Sequence, residues 1–302
     1  MTRAESALLL ATTRADGLEV DTIAAAGRSL GFATPPSDLA RALRLHQLLH
    51  RESAMKQLQA FFPRASSALG ENLLSEATGR YLAAHPCLSP LPREIRSLFP
   101  EFVASAELAD LLGPAEHLWL SELIRLESAR LHVDEARADL GLRFADLRRL
   151  PSEQWGELPL SWQTSVQRID TCCSIEALWD AEVRLRSLRS LPPPESGSRA
   201  RAPAQTLAGV GHAELSAGNH HVLVWRKGVT VMQRELDGEE ALLFDELELG
   251  GNLEELCLRL GRERNLDEAE AARQAVAYVR RWSNDGCLNA ARRRTSLPAC
   301  MT

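Results

Sequence analysis

The fold is decided by the stretch HHVLVWRKGVTVMQRELDGEEALLFDEL, residues 220–247. Its first half contains two runs rich in apolar residues, His220–Arg226 and Val229–Leu236. Such runs on either side of a tight turn, here Lys227-Gly228, are typical of two β-strands joined in a hairpin. We therefore predict a strand, a turn and a second strand at this point of the chain.

Helical patterns follow the two strands. The first begins at Asp237-Gly238, the second spans Leu253–Leu260 and the third spans Asp267–Asp285. Gly286 is suited to the end of the third helix, because glycine readily adopts the left-handed conformation found there. Two strands and three helices in about seventy residues are typical of a small winged-helix-like module.

The N-terminal half has a different pattern. Residues 1–140 have an almost wholly helical pattern, most clearly in Leu39–Phe62 and Glu71–Ala84 and in a long segment from Pro114 to about Asp139. We predict a mainly α protein with a small α+β module: an N-terminal helical bundle and a C-terminal winged-helix-like recognition element.

We place the domain boundaries by changes in composition. The segment LPPPESGSRARAPAQTLA is rich in Pro, Ser and Gly, a composition typical of linkers. The predicted organisation is a helical domain at 1–150, a connecting strand and helix region at 151–190, a linker at 191–208 and the recognition module at 209–302.

Charge argues against nucleic acid as a partner. The chain has a net charge of −6, and fifteen acidic residues stand against nine basic ones in Glu214–Asp285. A winged helix that reads DNA needs a basic third helix to contact phosphates, whereas Asp267–Asp285 mixes acidic and basic residues. The N-terminal apolar run, Ala7–Ala11, is too short for a signal peptide or a membrane span, so we expect a cytoplasmic protein without a membrane partner.

Cysteine and histidine spacing argues against a metal site in this chain. None of the six cysteines forms a C-x-x-C pair, and Cys172-Cys173 are adjacent, a poor arrangement for chelating one metal ion. His46 and His50 are four residues apart on a helix, but no further ligand lies near them in the sequence. We expect reduced thiols and no cofactor of the chain's own.

Two charged residues interrupt apolar helix faces. Arg51 lies between Leu48 and Met55, and Glu127 lies four residues from apolar neighbours on either side. Because an unpaired buried carboxylate costs several kcal/mol, we expect Glu127 to accept from Arg51 or another arginine of the helical domain as an internal brace.

The hairpin also offers an exposed edge strand. An extended peptide can add to such an edge as a further strand, with backbone hydrogen bonds giving affinity and alternate side chains giving specificity. A purely structural role for the module is the alternative that the residues leave open.

The N-terminal half resembles a known family. The segments at 48–105 and 120–139 are similar to the HvfC/BufC-type family, first described as a putative DNA-binding domain, over roughly residues 39–180. The matching positions are Arg51, Phe62-Pro63, Leu69-Gly70, Tyr81, His85-Pro86, Phe99-Pro100-Glu101-Phe102 and Leu126-Glu127. His50 and Glu52 differ from the aromatic residue and the asparagine that relatives often carry beside this arginine.

The C-terminal module, at about 215–290, resembles a PqqD-type recognition element for precursor peptides. Together the two resemblances imply the partner subunit of multinuclear non-haem iron oxidases that modify cysteine in ribosomally made peptides. The chain resembles the partner in 3-thiaglutamate biosynthesis more than it resembles the one in methanobactin biosynthesis.

The resemblance implies a division of labour. The iron would belong to a separate TIM-barrel subunit, with no cofactor and no catalytic residue in this chain. This chain would bind that barrel as a heterodimer, hold the leader of the precursor peptide and present its cysteine. The reaction would be excision of the β-methylene of a C-terminal cysteine or, in the methanobactin case, formation of an oxazolone with a neighbouring thioamide.

The expected leader contacts are carried over from the corresponding elements of the recognition module. They are Val229, Val231, Gln233, Arg234 and Glu235 on the edge strand, opposed by Arg273, Val276, Ala277 and Arg280 on the third helix. Two rival functions stay open: a winged-helix DNA-binding regulator, and an enzyme in its own right.

Overall fold

The computed structural model describes residues 36–85, 92–112, 114–137, 139, 141–151, 154–174, 178 and 218–290. The protein is mainly helical with small antiparallel sheets, as the sequence predicted. The predicted linker at 191–208 lies outside the described residues. Within them, no helix combines the length and apolar character that crossing a membrane requires.

The helices are α1 (Pro36–Phe61), α2 (Pro63–Ala84), α3 (Pro92–Ala104), α4 (Ala106–Ala109), α5 (Pro114–Glu135), α6 (Phe144–Leu147), α7 (Gly238–Glu248), α8 (Leu253–Arg264) and α9 (Glu268–Asp285). The strands are β1 (Leu160–Trp162), β2 (Val166–Thr171), β3 (His220–Lys227), β4 (Thr230–Leu236) and β5 (Leu288–Ala290). The described residues form two compact units, one up to Ser128 with Leu178, the other at 129–174 and 218–290.

The first unit is built on consecutive helices. Pro63 separates α1 from α2 because proline cannot continue a helix but is well tolerated in its first turn. Within α2 the backbone bends at Gly70, directly before Glu71, where we predicted that a helical segment begins. The φ of 69° at Gly70 is a conformation that glycine adopts without strain. The core of this unit is formed by apolar side chains from α1 to α5, including the fully buried Phe62 and Tyr81.

Glu127 on α5 caps the start of α2. Its Oε1 accepts from the backbone N–H of Arg64 at 2.9 Å and its Oε2 from that of Ala65 at 3.0 Å. These are the second and third residues of α2, and Pro63 before them has no N–H to satisfy. The side chain is only 4% exposed, so the carboxylate is an internal brace whose donors include main-chain N–H groups of α2.

Arg51, which we had considered as a donor to Glu127, binds a main-chain carbonyl of α2. Its Nη2 donates to the carbonyl oxygen of Ser75 on α2 at 2.6 Å. The guanidinium lies against Gly79, where an added Cβ would be 3.2 Å from Cζ. Arg51 therefore ties α1 to α2 through a main-chain carbonyl and the space that a glycine leaves.

The second unit contains a three-stranded antiparallel sheet in the order β2-β3-β4. The hairpin β3–β4 matches the prediction closely, with the strands joined by Gly228 and Val229. The sheet has a third strand, β2, which lies in the region 151–190 that we had set between the domains. A smaller sheet pairs β1 with β5.

Helices α7 to α9 cover one face of the larger sheet. Leu223 and Trp225 of β3 join a core that includes Phe244, Leu256 and Trp282 from the three helices. Asp237 caps α7 by accepting from the N–H of Glu240, and α9 ends at Gly286 with φ 79°, as the sequence predicted.

Basic side chains of β3 satisfy two helix C-termini in this unit. Arg226 donates to the carbonyl oxygens of Asp134 and Ala136 at the end of α5, and Lys227 donates to Asn284 O near the end of α9. Cations are favoured at helix C-termini, where unpaired carbonyls carry partial negative charge. Val222 and Val224, on the face opposite the α7–α9 core, are also fully buried.

We predict that Glu127→Ala lowers the free energy of unfolding by about 3 kcal/mol, because it removes two charge-assisted hydrogen bonds and leaves the buried N–H of Ala65 without its acceptor. Glu76→Ala is the control, since Glu76 is an exposed glutamate in an i,i+4 pair with Arg80, and its loss should cost under about 0.5 kcal/mol. Urea unfolding followed by circular dichroism measures both. Equal, small effects of the two substitutions would contradict the bracing role.

Candidate peptide-binding edge

Strand β4 forms one edge of the three-stranded sheet. Its seven residues pair with β3 on one side, and no other strand of the described residues pairs with it on the other. An unpaired strand edge presents a row of N–H and C=O groups to which another extended chain can bond. The strand that we predicted as an edge is thus placed at an edge.

The hairpin geometry fixes which residues of β4 face outward. The N–H of Arg226 donates to Ser165 O, next to β2, so the main-chain groups of Arg226 point away from β4. Since antiparallel pairs alternate between bonded and non-bonded positions, Val231, the partner of Arg226, has its main-chain groups on the outer edge. Gln233 and Glu235 follow in the same alternation.

The side chains of these three residues lie on the face that carries Val222 and Val224. Gln233 is held there by Arg130, whose Nη1 donates to Oε1 of the amide at 2.7 Å. Glu235 is exposed and lies 3.6 Å from His220 across the strand pair, measured from Oε2 to Nδ1. Their side chains are therefore oriented by the sheet, while their main-chain groups remain on the outer edge.

Arg234 has the opposite orientation and is fixed inside the module. Its two Nη atoms donate to the carboxylate of Glu240 on α7 at 2.6 and 2.5 Å, a bidentate pair. Glu240 is 1% exposed, and its Oε1 also accepts from Trp282 Nε1 on α9 at 2.6 Å. The carboxylate therefore links β4, α7 and α9.

Charge around this pair favours the ionised arginine. Burial opposes the charged guanidinium, but hydrogen bonds to Glu240 and the negative charges of Glu240 and Asp285 outweigh it and raise the pKa of Arg234. The guanidinium also lies over the Trp225 ring, with Cζ 5.8 Å from the ring centroid. Arg234 is thus a structural residue of the edge strand.

A tyrosine closes the corner where β4 leads into α7. The Tyr278 hydroxyl of α9 lies 3.2 Å from Asp237 Oδ1 and 3.3 Å from Glu239 Oε2, so it can donate to either carboxylate. Burial and these two negative charges raise the pKa of Tyr278, which keeps the hydroxyl protonated as a donor.

The remaining predicted residues are spread over the module. Val229 lies at the hairpin turn and is 95% exposed. On α9, Arg273 pairs with Glu270, Ala277 is exposed, Val276 packs against the core and Arg280 lies over the ring of Phe144.

The α9 residues that contact β4 and the corner after it differ from the four that we predicted. They are Tyr278, Arg281, Trp282 and Asp285, which contact Asp237, Glu239, Glu240 or Arg234. On a helix these positions lie about a quarter to a half turn away from the predicted set. Sequence reasoning missed Glu240 as well, although its place three residues after the N-cap Asp237 was visible.

No three His, Cys, Asp or Glu side chains within the described ranges are grouped as metal ligands would be. Comparison with protein-family models gives no match, and comparison with curated proteins gives none. The peptide-binding interpretation therefore depends on the edge geometry and on the resemblances stated above.

We predict that Glu240→Gln lowers the free energy of unfolding by about 3 kcal/mol, because it removes the negative charge that compensates the half-buried Arg234. Glu248→Gln is the matched control on the same helix, where the side chain is exposed, and should change stability by under about 0.5 kcal/mol. Chemical denaturation at neutral pH measures both. A wild-type stability for Glu240→Gln would show that the carboxylate does not hold the module together.

Proposed function

We propose that this chain is a non-catalytic subunit that binds the leader of a ribosomally made precursor peptide and presents its cysteine to a partner TIM-barrel iron oxidase. The observation that carries the proposal is the outer edge of β4, where Val231, Gln233 and Glu235 direct their main-chain groups away from the sheet. A peptide added there would form a fourth antiparallel or parallel strand.

The arrangement of elements supports a recognition module of the winged-helix type. The hairpin β3–β4 precedes three helices, as in the PqqD-type element that the sequence resembles, and α9 lies beside the end of β4. Each backbone hydrogen bond to the added strand would contribute about 0.5–1.5 kcal/mol net, and a few apolar side chains of the peptide would be buried. After the entropic cost of ordering the peptide, these contributions would give a dissociation constant near micromolar.

The partner and the reaction come from the resemblance. The iron would be held by the partner subunit, in a cytoplasmic heterodimer with no membrane component. The reaction we favour is excision of the β-methylene of a C-terminal cysteine in 3-thiaglutamate biosynthesis, with oxazolone and thioamide formation as the alternative.

Peptide binding to β4 is tested with proline substitutions that remove one outward N–H. We expect Val231→Pro to weaken binding of a fluorescein-labelled precursor peptide by about tenfold or more, because it removes a bond and crowds the incoming strand. Asp170→Pro is the control, since the alternation places its main-chain groups on the outer edge of β2. Fluorescence anisotropy measures affinity, and circular dichroism checks the fold.

Two results would contradict the docking site. One is equal weakening by Val231→Pro and Asp170→Pro; the other is unchanged affinity in Val231→Pro. Salt-sensitive binding of duplex DNA in place of the peptide would favour the regulator instead.

The division of labour is tested by turnover. We expect the iron-loaded partner alone to modify the precursor peptide slowly, and we expect the turnover rate to rise when this chain is added. The Val231→Pro variant should raise KM for the peptide more than it lowers kcat, because it weakens binding and leaves the chemistry to the partner. Turnover by this chain without the partner, followed by mass spectrometry of the peptide, would overturn the assignment.

A further inference from the structure

Two adjacent thiols meet at the end of β2. Cys172 and Cys173 directly follow Thr171, the last residue of the strand, and their Sγ atoms are 3.5 Å apart. Neighbouring side chains of an extended strand point to opposite faces. The short separation therefore arises because the chain bends after Thr171 and turns both thiols to the same side.

The two thiols differ in access. Cys173 is fully buried, whereas Cys172 is partly exposed, and neither forms a disulfide. The hydroxyl of Thr171, itself buried, donates to the carbonyl oxygen of Cys173 and holds the bend. A small oxidant can thus reach Cys172 first, with a second thiol already beside it.

We propose that Cys172 and Cys173 form a modification site, a dithiol that a low-molecular-weight disulfide such as glutathione disulfide oxidises reversibly to a vicinal disulfide. The Cys172 thiolate attacks one sulfur of glutathione disulfide, which releases one glutathione thiolate and leaves a mixed disulfide on Cys172. The Cys173 thiolate then attacks the Cys172 sulfur and releases the second glutathione. The two thiol protons go to the two glutathiones, so two electrons pass from the cysteines to one glutathione disulfide.

The site lies where oxidation would affect the sheet. Adjacent Cα atoms are about 3.8 Å apart across a trans peptide, which is closer than in ordinary disulfides, so the bond would be readily reduced. Forming it would shift the backbone at Cys173, break the bond from Thr171 and loosen the last pair of the β2–β3 ladder, Thr171 with His220.

The test uses the full chain with Cys87 and Cys300, which lie outside the described residues, replaced by serine. The protein is equilibrated in glutathione buffers of increasing disulfide content, alkylated with N-ethylmaleimide and mapped by mass spectrometry. We expect the alkyl adducts of Cys172 and Cys173 to be lost together, without bound glutathione, and restored by dithiothreitol. Amide hydrogen exchange at Thr171 and His220 should speed up on oxidation.

Single variants separate the steps. Cys173→Ser should keep glutathione on Cys172, because the resolving thiol is gone, and Cys257→Ser should behave as the parent, since Cys257 is a free thiol elsewhere in the unit. The proposal is overturned if both cysteines are still alkylated by N-ethylmaleimide across the buffer series, or if oxidation forms a disulfide between two chains. It is also overturned if Cys172 of the Cys173→Ser variant is no longer alkylated and yet carries no glutathione.

Discussion

The buried carboxylate of Glu240 is the interaction on which the C-terminal unit depends. It lies where β4, α7 and α9 meet and accepts from both Arg234 and Trp282. Removing a carboxylate and a guanidinium from water is costly, and the cost is recovered only with near-ideal geometry and all acceptor sites used. The bidentate pair and the indole meet that condition, so they fix where β4 ends relative to the helices.

The N-terminal unit uses a buried carboxylate in a related way. Glu127 accepts from two backbone N–H groups at the start of α2. In both units a glutamate on one helix fixes the position of another element by accepting hydrogen bonds at both carboxylate oxygens. The two sites differ in the donors they use: those of Glu127 include main-chain N–H groups at a helix N-terminus, whereas those of Glu240 include the guanidinium of an arginine on a strand.

Much of the fold was predictable because local rules determine it. The hairpin and its Gly228 turn, the break at Gly70 and the end of α9 at Gly286 all follow from strand propensity and from conformations that favour glycine. A strand was predicted in the region 151–190, but the pairing of β2 with β3 was not, because β3 lies about fifty residues later and pairing over that distance leaves no local pattern. The same holds for Glu240, since periodicity shows that a position is buried but not which residue satisfies it.

The free edge of β4 is the feature that most needs a functional explanation. Exposed edges invite aggregation, and proteins usually shorten, charge or cover them. Here the outward main-chain groups are confined to Val231, Gln233 and Glu235, with a charged residue at one end and the hairpin turn at the other. Arg234, between them, is turned inward and held by Glu240, so its cation does not lie on the outer edge. An edge that is short, held in place by its pairing with β3 and paired with no further strand among the described residues has the properties that capture of one extended peptide requires, because the edge itself loses little conformational freedom when the added strand binds.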